Sequence, residues 1–289
     1  MKSARRSSLK ETQRWRRARK RDPGPEAFLR EQEPLCVGAC SRFLHRSIFH
    51  DHLWSLRDGE GNVLALLLNS KRSLFPVFRG LADIPVPHFL NRLIRSMPVH
   101  AVQGLREDAL ILENIMAQLG VHPAESIDYD LMALDKEPAA ECFNAGLPGL
   151  HIRRADSKDM ANLLPLQAAY EQEEVLPRGA VFNLSSSRAT LEHILSREHI
   201  LTAELEGRII AKANTSAESF TRCQIGGVYV HPDYRGCGIA TRLCAELIRS
   251  LMPSGRGVSL FVKKRNPAAR SVYRRIGFEV LSDYRISYY

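Results

Sequence analysis

Apolar and polar positions alternate along this chain in two rhythms, and read in order they predict the same succession of elements twice. In the second half, a short strand at Leu150 to Arg153 leads into helical segments that include Ala189 to Ser196. Two apolar runs, Ile200 to Leu205 and Arg208 to Ala213, are joined by Glu206-Gly207, which predicts a hairpin. Gln224 to Val230 is the next strand. Apolar residues then fall at Ile239, Leu243, Leu247 and Leu251, with Ala240, Cys244 and Ile248 beside them, the stripe of a helix that stops at Pro253. Val258 to Val262 reads as a buried strand. Asn266-Pro267 opens a helix with Asn as N-cap and Pro as first helical residue, Gly277 closes it, and Tyr284 to Tyr289 ends the chain as a strand.

The first half repeats that order. Leu53 to Leu56 and Val63 to Leu68 form a hairpin around Asp58-Gly59-Glu60-Gly61, followed by a strand at Leu74 to Phe78 and a helix from His88 to Ser96. A strand at Val99 to Val102, a helix from Glu107 to Leu119 ending at Gly120, and a strand from Ile127 to Leu134 complete it. Element order repeats while residue identity does not, so the halves read as a worn structural duplication; the alternative is an unrelated α/β domain in front. Pro23-Gly24-Pro25 and Leu147-Pro148-Gly149 mark boundaries. The expected organisation is a basic, disordered tail over 1–25, a domain over 26–145 and a domain over 146–289.

Charge changes this picture less than the total suggests. Of the net +9, residues 1–22 carry +8, from ten Lys or Arg against two acids, which leaves +1 for the rest. The tail is therefore expected to be a solvated arm, with weak contact to polyanions through residues 1–22 as the sharper alternative and Trp15 as its one stacking group. The six cysteines are scattered without metal or redox spacing, and His50-Asp51-His52 has no second ligand pair, so no metal is expected. No apolar stretch is long enough to span a membrane, and the basic start lacks the apolar segment of a secretory signal; the expected setting is the cytoplasm.

The chemistry concentrates in Val228-Tyr-Val-His-Pro-Asp-Tyr-Arg-Gly-Cys-Gly-Ile-Ala240. A strand runs into a glycine-containing loop that opens onto a helix, so backbone N–H groups and the helix dipole converge on one point that favours an anion. Gly236 and Gly238 let the backbone approach a phosphate closely. A P-loop would need Gly-Lys-Ser/Thr where Ile239-Ala240 stand, and a dinucleotide fold would put its loop after the first strand rather than the fourth.

Arg235, Gly238 and Ala240 resemble the acyl-CoA fingerprint of the GNAT superfamily: Arg or Gln, two residues, Gly, one residue, Gly or Ala. The lead-in to Tyr234-Arg235-Gly236, the stretch Val258 to Val262, and Asn266 followed by Tyr273 and Gly277-Phe278 are similar to later parts of that fold, so the likeness covers roughly 150 to 289. It implies an α/β (α+β) GNAT fold with a mixed, mostly antiparallel central sheet, preceded by a second GNAT-like domain as in bacterial two-domain members. It implies acetyl-CoA as acyl donor, its pyrophosphate against the N–H groups of Arg235, Gly236, Cys237, Gly238, Ile239 and Ala240, its pantetheine arm along Val228, Tyr229 and Val230, and a contact from Asn266, whose other role is helix capping. Tyr273 resembles the tyrosine that protonates the departing thiolate; a phenol, with reference pKa near 10, still carries that proton at neutral pH. Cys237 reads as a tolerated small residue of the loop.

The implied activity is direct acetyl transfer to a primary amine of unknown identity. A lysine acceptor costs about 4.6 kcal/mol to deprotonate at pH 7 and an α-amine about 1.4 kcal/mol, so the need for a base depends on the acceptor. Many family members carry a glutamate on the strand before the loop, whereas Gln224-Ile-Gly-Gly-Val228 has none; Glu171, Glu173, Glu174 or a relayed water are the candidates left open. A non-catalytic acyl-CoA sensor is the alternative, and a nucleic-acid binder acting through its tail is a more distant one. The first domain has Arg79-Gly80 followed by Pro85 and Pro87 instead of a second glycine loop, and Met116 where a tyrosine would stand, so it is expected to be a scaffold, a substrate wall or a homodimer surface.

Overall fold

The computed structural model describes residues 13–19, 22–46, 51–81 and 84–289. His50 and the first twelve residues of the basic arm lie outside them. In chain order the elements are β1 (Arg14–Arg17), α1 (Pro23–Gln32), α2 (Val37–Leu44), β2 (His52–Arg57), β3 (Val63–Ser70), β4 (Ser73–Val77), α3 (Leu90–Ser96), β5 (Ala101–Leu105), α4 (Arg106–Gln118) and β6 (Glu125–Leu134). They continue as β7 (His151–Arg154), α5 (Met160–Tyr170), α6 (Leu184–Arg197), β8 (Ile200–Leu205), β9 (Arg208–Glu218), β10 (Arg222–Val230), α7 (Ile239–Leu251), β11 (Gly257–Lys263), α8 (Pro267–Ile276) and β12 (Glu279–Tyr288). Strands and helices alternate, and most strand pairs are antiparallel, which is the expected mixed α/β fold. Among the described residues no helix is long and apolar enough to cross a membrane.

The chain divides into two compact units, one of residues up to Asp130 together with Ser282–Tyr289, the other of Leu131–Leu281. The sequence placed the divide at 145/146 and kept residues 282–289 with the second domain.

In the first unit β1, β2, β3 and β4 pair antiparallel in order, β4 pairs β5 in parallel, and β12 closes on β5 antiparallel with Tyr284 opposite Leu105. Its core gathers Trp54, Leu56, Leu67, Phe78, Leu90, Leu112 and Met116. The disordered arm expected over 1–25 is corrected here for the residues described. Arg14–Arg17 form an edge strand against Trp54–Arg57. Trp15 alone turns inward, 6% exposed, and donates from Nε1 to the Pro85 carbonyl oxygen at 2.8 Å. Arg14, Arg16 and Arg17 stay outside, and charge on an edge strand keeps it from recruiting another. The boundary expected at Pro23-Gly24-Pro25 is the first turn of α1, because Asp22 accepts from the Gly24 N–H as N-cap and proline suits the first helical turn.

In the second unit β11, β10, β9, β8 and β7 lie side by side in that order, with β10–β11 the parallel pair. The hairpin turn is Glu206-Gly207 as expected; both residues have positive φ, 51° and 76°, the geometry that matches strand twist. The apolar stripe of α7 is buried along its length, Leu243, Leu247, Cys244 and Ile248 completely, against Ala211, Ala213, Leu260 and Val262. Asn266 caps α8 by accepting from the Ala269 N–H, and Gly277 ends it at φ 110°.

Candidate functional site

The site is built on a strand that is deliberately irregular. Pairing of β10 with β9 slips twice, between Gln224 and Ile225 and between Gly226 and Tyr229. Such bulges turn a strand and re-aim its peptide groups. On the other edge, parallel pairing spans Arg222–Gln224 against Gly257–Ser259, and Val228, Tyr229 and Val230 line a cavity of about 420 Å³.

Beyond β10 the chain makes one 3-10 turn at Pro232–Tyr234 and then passes Gly236 and Gly238, each at φ 79°, into α7. Gly238 is the N-cap and has no side chain to offer the first turn, so no side-chain cap competes for its N–H groups. A Cβ on Gly238 would stand 3.0 Å from the Gly146 backbone nitrogen and 3.3 Å from Ala145 Cβ, whereas one on Gly236 would meet nothing. The loop is thus pressed against the body at one glycine and open at the other. An anion placed there meets backbone donors and the positive end of a thirteen-residue helix.

Arg235 is committed to the protein rather than to the cavity centre. Its Nε donates to the Val230 carbonyl oxygen at 3.0 Å, one terminal nitrogen donates to Glu173 Oε2 at 2.8 Å, and its guanidinium lies 5.1 Å from the Tyr229 ring centre. Tyr229 in turn donates its hydroxyl to Glu173 Oε1 at 2.6 Å. Burial would raise the Glu173 carboxyl, but the bonds from Tyr229 and Arg235 outweigh it and hold it below the usual carboxylate range. Burial and the bond to Glu173 push the Tyr229 phenol up to about 12. Glu173 and Glu174 reach the cavity because α5 ends in a π turn over Glu171–Val175, a local widening that recurs at functional sites. Glu174 accepts from Asn266 Nδ2 and pairs with Lys263 Nζ, both at 3.1 Å, and Glu171 accepts from Gln167 Nε2 at 2.7 Å. Asn266 therefore caps α8 with its oxygen and ties down Glu174 with its nitrogen.

Tyr273 faces the cavity from α8, 8% exposed, with its ring edge-on to Phe278 at 5.8 Å. Burial first, then the neighbouring Cys244, Tyr170 and Glu174, raise its phenol well above the ordinary value, so it keeps its proton. Of the residues singled out in the sequence, Val228, Tyr229, Val230, Arg235, Gly236, Gly238, Ile239, Ala240, Asn266 and Tyr273 line this one cavity. Cys237 does not; its thiol is exposed, 3.6 Å from the Arg235 carbonyl oxygen. Among the described residues no group of His, Cys, Asp and Glu side chains could hold a metal ion.

Sequence reasoning passed over Lys212. It is fully buried in β9, donating from Nζ to Gly227 O at 2.8 Å and Asn214 Oδ1 at 3.0 Å, with the Tyr170 ring centre 5.0 Å away. Burial lowers its amine to about 7, against the opposing pull of Glu171. A lysine inside the run Arg208 to Ala213 was the signal available.

In the first unit Asp108, in the first turn of α4, accepts from the Phe78 N–H at 2.9 Å, just beyond the end of β4. Burial pushes that carboxyl up to about 6, against the bond from Phe78.

Comparison with known proteins bears on both units. Across 95% of this chain and 98% of its own, a Drosophila protein of 13% identity superposes with a TM-score of 0.63. A GCN5-related N-acetyltransferase from Sphaerobacter thermophilus does so at 0.58 with 19% identity, over 95% of this chain and 94% of its own. A tandem GNAT protein from the clavulanic acid biosynthesis pathway gives 0.57 with 13% identity, over 95% and 97%. No curated protein matches. Residues 166–278, which hold the bulged strand, the glycine loop and Tyr273, match the acetyltransferase (GNAT) family. That match places residues 166–278, within the second unit, in the GNAT acetyltransferase family, and the solved structures share the fold.

Proposed function

We propose that this protein moves an acetyl group from acetyl-CoA to a primary amine by direct transfer. The observation that carries the reading is the open glycine loop at the uncapped start of α7, in one cavity with a buried, protonated Tyr273. The fit to the donor rests on Gly236, beside which a Cβ would find only open space, and on a cavity of about 420 Å³ that continues along Val228 to Val230.

In this reading the N–H groups from Arg235 to Ala240, including that of Cys237, hold the pyrophosphate, the backbone of Val228 to Val230 holds the pantetheine arm, and Asn266 borders it. Acetyl-CoA, when bound, supplies the activated thioester. Tyr273 keeps its proton at Oη for the leaving sulfur, and the low-lying Glu173 carboxylate serves to anchor Arg235 and Tyr229 rather than as a base. The acceptor amine then loses its proton through water.

Calorimetry with acetyl-CoA followed by thiol release on a panel of amines tests this. Tyr273→Phe should keep the affinity and lose about 10²- to 10⁴-fold in turnover, the usual range for a positioned acid. A wild type with no affinity for acetyl-CoA at millimolar concentration would end the proposal. The pairing of Glu173 and Glu174 with Arg235, Tyr229, Lys263 and Asn266 favours one second reading, an acyl-CoA sensor, which sustained turnover of the thioester on any amine would exclude.

A further inference from the structure

Resting on that reading, we infer that Lys212 is a positioning residue for acyl transfer: its amine holds the Gly227–Val228 peptide so that the N–H of Val228 is presented to the acyl carbonyl. Lys212 itself touches neither donor nor acceptor.

Gly227 O and the Val228 N–H belong to one planar trans peptide, in which C=O and N–H point to opposite sides. Lys212 Nζ approaches the oxygen at 2.8 Å, so the N–H is directed away from the lysine, and Val228 is one of the residues lining the cavity. The geometry exists only because position 227 is glycine: φ is +60°, and a Cβ would overlap Asn214 Oδ1 and stand 2.9 Å from Lys212 Nζ. The N–H of Gly227 is also taken out of the strand ladder, donating to Tyr170 Oη at 3.3 Å. Side chains from α5 and β9 thus fix the peptide units on both sides of Gly227.

A donor on the peptide oxygen also makes the N–H of that peptide a better donor, by roughly 10–30% per bond, and more strongly when the donor is charged. The groups facing the amine are Glu171 from the π turn, which favours the charged form, the Tyr170 phenol from α5, Asn214 on β9 itself, and Tyr229, its register partner on β10, whose hydroxyl is bound to Glu173. Against them stands complete burial, which brings the amine to about 7. Polarisation of the Val228 N–H is therefore greater below about pH 7 and weaker above it.

The test needs no acceptor. Isotope-edited infrared spectroscopy reads the carbonyl band of acetyl-CoA labelled with ¹³C at the thioester carbon, bound to the full chain. In the wild type the band should lie below that of the free thioester and shift further down as pH falls through about 7. Lys212→Met should bring it toward the free value and remove its pH response, while calorimetric affinity stays within about threefold, well under the 1.4 kcal/mol of a tenfold change. Lys212→Arg keeps charge and donors, so its band should stay low at every pH; it serves in place of the methionine variant if that one does not fold. A wild-type band indifferent to pH, or the same response in the variants, overturns the inference and leaves the proposed function standing. Absence of acetyl-CoA binding to the wild type overturns the proposed function, and the role of Lys212 with it.

Discussion

Replacing Trp15 with alanine tests whether the arginine-rich start of this chain is part of the folded body. The indole is 6% exposed, meets Phe78 and Phe89 edge-on with ring centres 6.3 and 6.0 Å away, and donates to Pro85 O at 2.8 Å. Truncating a buried tryptophan costs about 3–5 kcal/mol, with the two aromatic contacts, at about 0.5–1.5 kcal/mol each, inside that figure. Trp15→Phe retains most of the ring contact but strands the Pro85 carbonyl, which costs about 1–3 kcal/mol. The expected order of stability is therefore wild type, phenylalanine, alanine. The chain has two tryptophans, and Trp54 stays to report: it is buried in the same core and stacked on Phe89 at 4.1 Å. Urea unfolding followed by its fluorescence should show the midpoint falling while the slope, set by the area exposed, holds steady. If Trp15→Ala unfolds within about 0.5 kcal/mol of wild type, the range of an inconsequential surface change, the strand is not docked and the arm is solvated after all.

Other variants probe the site and the first unit. Gly238→Ala should weaken acetyl-CoA binding by roughly 5- to 30-fold, because a side chain at φ 79° costs about 1–2 kcal/mol and its Cβ presses on Gly146; unchanged affinity by calorimetry would show that the loop does not hold the ligand. Titration of the full chain should saturate at one acetyl-CoA, since the first unit has Pro85 and Pro87 after β4 instead of a glycine loop; two would refute that reading. The Asp108 carboxyl, raised from 3.8 to about 6, binds its proton more tightly in the folded state, so its contribution to stability is full below about pH 4 and is lost as pH rises through about 6. Asp108→Asn should remove that decline and gain on the order of 1–3 kcal/mol at neutral pH, read as a denaturation midpoint that no longer falls between the two values. With its phenol raised above 10.0, Tyr273 should impose no loss of turnover in a pH profile below that value.

The parts legible in the sequence are those whose cause is local. Glu206-Gly207, the Asn266-Pro267 start and Gly277 end of α8, and the glycine loop into α7 each depend on residues within a few positions, and each stands where it was expected. Trp15 was not legible because a four-residue edge strand with one inward side chain has no periodicity, and its arginines dominate the reading. Lys212 was hidden for a different reason: its oxygen partner at Gly227 and the ring of Tyr170 come from other elements. The π turn that carries Glu173 and Glu174 to the cavity likewise has no composition of its own, only an acidic run that reads as a solvated face. The divide at Asp130 falls inside a strand, where neither proline nor glycine marks it.

The pairing of β5 with β12 has a consequence for synthesis. Leu105 finds its partner at Tyr284, so a ribosome must translate the whole second unit before the first can finish its sheet. Domains generally fold as they emerge, at about 5–20 residues per second. During those seconds one edge of β5 stays open, a template for any other strand in the cell. A chain truncated before Tyr284 would leave it open permanently, and chaperones and proteases would meet the product as unfinished, however well its second unit had folded.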